Sequence, residues 1–162
     1  MNIAAIHSLF DYNYWVSQRI LETAARLSPE QFTAAAGVSH GSLRGTLVHA
    51  LSAEWAWRQR CQGSSPRGLL SEDEFPDLES LARRSREEEG AMRSYLAGLT
   101  DEDLISIIRY SRTEGTWIET PLWQILLHVI NHGTQSRSEA AILLSQFGHS
   151  PGDLDYMIFL RE

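Results

Sequence analysis

Apolar residues recur at helical spacing over residues 3–27, at Ile6, Leu9, Phe10, Tyr14, Ile20, Leu21 and Ala24, until SPEQF at 28–32 interrupts them. That spacing predicts an amphipathic first helix ended by a breaker. A second stripe, Leu43, Leu47, Ala50, Leu51 and Trp55, lies between Ser42, a candidate N-cap, and Gly63, a candidate stop. The Pro/Gly/Ser stretch GSSPRGLL reads as a loop, and Asp77 as the cap of a third helix over 78–98. The charge run RRSREEEG on that helix reads as a solvated face. The pattern then changes: ISIIRYSRTEGTWIET places β-formers on both sides of a polar turn containing Gly115, which predicts a hairpin at 105–110 and 116–119.

Thr120 is the expected cap of a fourth helix, with Pro121 in its first turn and its end near Phe147. At about 1.5 Å per residue this helix is roughly 40 Å long. It is apolar on more than one face, as the central helix of a bundle should be. GHSPGDLDYMIFLRE closes the chain with a turn and a short apolar segment. The architecture predicted is all-α: one domain, residues 1–162, forming an up-and-down four-helix bundle with a short hairpin before the last long helix.

Composition narrows the function. Hydrophobic content of 43% and charged content of 22% suit a globular domain. The formal charge is −7, from 21 acidic and 14 basic residues, and the basic ones, all arginine, are scattered. Phosphate neutralisation needs massed basic residues, so nucleic acid is not the expected partner. Cys61 is the single cysteine, which fits a reducing compartment. The N-terminus has no cationic start, and no apolar run reaches the roughly 18 residues that span a bilayer. A cytoplasmic protein with no membrane partner is expected.

The candidate chemistry lies in histidines. His128 and His132 stand at i and i+4 in an apolar run, so both project from one helical face. His49 lies among apolar neighbours of the second helix. Three core-facing histidines from two helices are either satisfied interior residues or one open metal site with a position left for water or substrate. His7, His40 and His149 lie near termini or loops and are read as surface residues.

FDYNYW, LVHALSAEWAW and LLHVINHGTQSRSEAA, together with the closing GHSPGDLDYMIFLRE, resemble the DinB/YfiT family, whose members are read as metalloenzymes. The resemblance implies a four-helix bundle, a homodimer, and a divalent metal, nickel or zinc, held by three histidines. It also implies a thiol-dependent S-transferase, or a related hydrolase or isomerase, using an external low-molecular-weight thiol. On that pattern His49 and His132 are metal ligands. The third ligand of the pattern falls on Ser136, in NHGTQSRSE, and a neutral hydroxyl is a poor ligand beside imidazole. His128 is then either a substitute third ligand or a packing residue, and metal affinity should be weaker than with the full histidine set. The alternative is a metal-poor, non-catalytic member that binds a small molecule or acts as a dimeric, stress-associated protein. No catalytic residue is assigned.

Other residues keep open readings. Glu139 either orients a ligand or accepts a proton, or is an exposed helix acid. Glu54 and Arg58 are spaced as an i, i+4 pair supporting the second helix. Tyr12, Asn13 and Trp15 match the family's first helix, with Asn13 a candidate cross-link and the aromatics expected in the core. Arg137 serves either a salt bridge or an anionic substrate. Cys61 has no base nearby and is not a candidate nucleophile.

Overall fold

The computed structural model describes residues 2–112 and 114–162; Met1, and Thr113 within the predicted hairpin turn, lie outside the described residues. Helix α1, Ile3–Ala24, opens on Asn2, whose side chain accepts from the Ala5 amide. SPEQF, expected only as a break, forms a helix of its own. Ser28 and Gln31 satisfy each other's backbone amides in a capping box, Pro29 fits the first turn, and the five-residue α2, Pro29–Thr33, buries Phe32. The second and third predicted helices begin at their predicted caps. Ser42 opens α3, Leu43–Cys61, by accepting from Gly45, and Asp77 opens α4, Leu78–Ala97, by accepting from Ser80.

Strand β1, Ile107–Ser111, pairs antiparallel with β2, Trp117–Pro121, with Tyr110 opposite Ile118. Thr120 does not cap the last long helix. It pairs with Ile108 in the hairpin, and Pro121 takes the cap position of α5, Leu122–Gln146. The first α5 amide, of Leu122, donates instead to Ser106 O at 2.9 Å, so the hairpin base does what a capping side chain otherwise would.

Helix α5 lies against both α1 and α3, and α4 closes the bundle against the same two helices. The short α6, Tyr156–Phe159, docks on the outside of α1. There Tyr12 and Trp15, expected in the core, sit half-buried against Phe159. Tyr12 Oη donates to Leu154 O at 2.7 Å and Trp15 Nε1 to Glu162 at 2.8 Å. Both ring bodies stay in apolar contact while their polar tips bond the chain's last residues. Among the described residues, no helix is long and apolar enough to cross a membrane.

The core is not continuous. One apolar cluster, including Ile20, Leu47, Leu51 and Leu143, fills one end of the bundle; another, including Phe10, Met92, Leu126 and Val129, fills the other. Between them each long helix turns polar or small on its inner face: Asn13 and Ser17 on α1, Glu54 and Arg58 on α3, Glu88 on α4, Gly133, Ser136 and Arg137 on α5. The charge run on α4 is therefore not wholly solvated. Glu88 is 1% exposed, because Arg58 Nε and Nη2 meet its two oxygens at 2.5 and 2.8 Å. The predicted Glu54–Arg58 pair is replaced by this cross-helix pair, which a bidentate guanidinium favours over a single i, i+4 contact.

Candidate functional site

His49 of α3 and His132 of α5 face each other where the two helices pack, with Nε2 atoms 2.9 Å apart. One imidazole donates and the other accepts, so both Nε2 atoms are aimed at one point from opposite sides. Burial lowers the His49 pKa to about 4, helped by His40 and His132 beside it; burial also lowers His132, with His128 adding to the effect. Both rings are therefore neutral at neutral pH, the state in which imidazole is a ligand.

His40, read from sequence as a surface residue, stacks flat on His49, with ring centroids 3.7 Å apart and 17° between planes. The loop that brings it there is tied from both ends. Ala36 donates to Gly41 O at 2.7 Å, and Ser39 Oγ to Glu139 at 3.0 Å, so Glu139 holds the loop beside the pair. Gly45 lets it approach: a Cβ there would stand 2.0 Å from His40 O, closer than any side chain tolerates. Sequence spacing does not reveal this contact, because it depends on how a loop folds back over the first turn of a helix.

His128 is brought near but not into the pair. It is exposed, its ring centroid lies 5.9 Å from that of His132, and its edge packs at 5.0 Å from the Trp57 ring. Ser136 is buried, and its Oγ donates to His132 O at 3.2 Å, so the hydroxyl is occupied by its own helix. Among the described residues, no three His, Cys, Asp or Glu side chains are grouped as a metal site. The donors thus fit an ion as a pair. Two bonds of about 2.0–2.1 Å at a tetrahedral angle separate the nitrogens by about 3.3 Å, so the rings need part by only a few tenths of an ångström.

On its inner side His132 borders a cavity of about 830 Å³ that runs between α1, α3, α4 and α5. Ile20, Leu47 and Leu51 form apolar wall, and Tyr14, Glu54 and Arg137 form a polar end. Tyr14 Oη donates to Glu54 Oε1 at 2.6 Å, and Asn13 Nδ2 reaches Oε2 at 3.5 Å. Asn13 Oδ1 accepts from Arg137, so Asn13 cross-links α1, α3 and α5 as its sequence position suggested. Burial raises the Glu54 pKa to about 7, only partly offset by the Tyr14 hydrogen bond and the Arg137 charge. The same burial, with Glu54 beside it, raises Tyr14. Tyr14 and Glu54 were not legible as site residues. The available signal was a polar side chain standing at a core position, as Glu88 does in the stripe Leu81, Glu88, Met92, Leu96.

The Glu54 shift has a testable sign. A folded pKa near 7, against about 4.3 in the unfolded chain, stabilises the fold below the lower value and is lost as pH rises through 7. Glu54→Gln keeps an acceptor for Tyr14 and removes the ionisation. In denaturant titrations its stability relative to the parent should rise between pH 5 and pH 8. Parallel stability curves across that interval would show that Glu54 ionises as it does in water.

The family model described as DinB family matches residues 1–162. The chain is 24% identical over 157 residues to Protein DinB of Bacillus subtilis (strain 168), covering 94% of this chain and 91% of that relative. Among solved structures, a DinB-like protein from Bacillus cereus ATCC 10987 superposes with a TM-score of 0.74 at 19% identity, covering 94% of this chain and 97% of that one.

Proposed function

This chain belongs to the DinB family, and we propose that it is a metal-assisted enzyme in which His49 and His132 hold one divalent ion, zinc or nickel, beside the cavity. The observation that carries the reading is the convergence of two neutral Nε2 atoms, 2.9 Å apart, from separate helices. When bound, the ion supplies a Lewis acid that lowers the pKa of a coordinated water or thiol. The chain itself supplies the rest. His49 and His132 are neutral imidazoles, one Nε2 donating to the other, and both would turn a lone pair to the ion once that proton moves to Nδ1. Ser136, its hydroxyl turned into its own helix, would leave a coordination position to an outside ligand. Glu54, with its pKa near 7, is poised to hold or release a proton at the polar end of the cavity. Burial pushes the Cys61 thiol up to about 12, so Cys61 itself does not supply a thiolate. The external low-molecular-weight thiol and the S-transfer reaction enter this proposal from the family resemblance alone.

A second reading rests on the lack of a third grouped donor among the described residues: a metal-poor bundle that binds a small molecule without transforming it. Zinc titration against a chromophoric chelator separates the two. The proposed reading expects one equivalent bound, binding lost in His49→Ala, and binding kept in His128→Ala with a small loss of stability from the Trp57 contact. Loss of binding in His128→Ala would make that residue the third ligand. No uptake by the unmodified protein at millimolar zinc would leave the binding-protein reading in place.

A further inference from the structure

The guanidinium of Arg137 is built into the floor of the cavity with most of its donors unused. Arg137 is 5% exposed and lies across the preceding turn of α5, where a Cβ on Gly133 would stand 2.7 and 3.0 Å from Nη1 and Nη2. Glycine at 133 is thus what admits the guanidinium. One Nη2 proton goes to Asn13 Oδ1, the Nη1 group has Ser17 Oγ at 3.5 Å, and Nε has no partner among the described residues. A guanidinium has five N–H donors in a planar fork, and leaving them unmet away from water is costly.

Among the described residues, no carboxylate completes it. Glu54 approaches through Asn13 rather than directly, and a carboxyl with a pKa near 7 is only in part a counter-charge at neutral pH. The Arg137 pKa is itself lowered to about 10 by burial, the mark of a cation short of compensation. Glu88, the other buried acid of the layer, is already taken by Arg58.

We propose that the cavity binds an amphipathic monocarboxylate, its head group on the Arg137 guanidinium and its apolar body along Ile20, Leu47 and Leu51. The planar fork matches a carboxylate in a bidentate pair. The walls set the rest of the ligand, since they offer it apolar surface. Besides Glu54 and the paired Glu88, the acids lining the cavity are Glu22, Asp77, Glu79 and Glu89 against Arg86, and they disfavour a doubly charged head such as a phosphate monoester more than a singly charged one. This names the ligand class for the cavity of the proposed enzyme. It rests on that reading only for where the ligand lies, and not on any bound metal.

The test uses the whole protein stripped with a chelator, with sodium octanoate, octanol and octylamine as probes in isothermal titration calorimetry. Octanoate should bind about tenfold or more tightly than octanol, as a charge-assisted bidentate pair predicts. Arg137→Gln should erase that preference while octanol still binds. If this variant does not fold, the unmodified protein still decides: the ¹⁵N–¹H signal of Arg137 Nε must move on adding octanoate. Equal affinity for octanoate and octanol, a preference for octylamine, or an unmoved Arg137 signal would each overturn the proposal. Octanoate binding by a protein that takes up no zinc would keep this inference and sink the metal reading.

Discussion

Ser136→His raises the affinity for zinc or nickel by about 100-fold or more. Even the loss of a residue that only orients a metal ligand costs 10–100-fold, so gaining a ligand should do at least as much. Position 136 lies one turn beyond His132 on α5, so an imidazole there projects from the same face. The serine it replaces contributes nothing to an ion, because its hydroxyl donates to His132 O at 3.2 Å. The replacement is not free of strain. Ser136 is 5% exposed, and the extra ring volume should cost about 1–3 kcal/mol in the metal-free protein. The signature is therefore double: a lower melting temperature than the parent without metal, and a larger upward shift when zinc is added. Competition titration and thermal unfolding read the two effects separately. Affinity unchanged within a factor of about two would mean that position 136 does not face the ion.

Glu88→Ala destabilises the fold by about 3–5 kcal/mol, the cost of leaving a buried partner charge uncompensated. Glu88 is 1% exposed and accepts from Arg58 at 2.5 and 2.8 Å and from Arg84 at 3.4 Å. Glu88 raises the pKa of Arg58 in the parent. Without Glu88 the guanidinium still stays charged because of its high intrinsic pKa, so the variant cannot relax by deprotonating the arginine. Removing the carboxylate leaves Arg58 with Gln62 at 2.7 Å as its remaining partner. The exposed pair Arg93–Asp11 provides the contrast, with side chains 44% and 47% exposed. Asp11→Ala should cost no more than about 1 kcal/mol. Equilibrium denaturation of both variants checks the comparison. A loss below about 1 kcal/mol for Glu88→Ala would mean that water reaches Arg58 as readily as it reaches Arg93.

The bundle was legible because its signals are local. Ser42 and Asp77 cap where they were expected to, the hairpin lies where the period changes from helical to alternating, and α5 spans the apolar run that follows it. The errors are equally physical. Thr120 has the chemistry of an N-cap, but the ladder to Ile108 claims its backbone, and Ser106 satisfies the helix start in its place. SPEQF has both the breaker and the capping box, and periodicity over five residues is too short to choose between them.

At the site, His49 and His132 could be paired from sequence, because each stands in an apolar stripe and the family resemblance marks both. His40 could not, since it comes from a loop. The polar layer was hidden for another reason. Glu54, Arg58, Glu88 and Arg137 look like ordinary helix-surface charges until the facing helix supplies the partner. Charged residues are read as exposed by default, and only a position inside an apolar stripe argues otherwise.

Histidine-ring ¹⁵N NMR during zinc titration tests most directly whether His49 and His132 share one ion. If they do, the Nε2 resonances of both move together and saturate at one equivalent, while those of His7 and His149 stay in place. Resonances of the pair that do not move, or that saturate at different equivalents, would show that the 2.9 Å contact is a hydrogen bond between two interior histidines and nothing more.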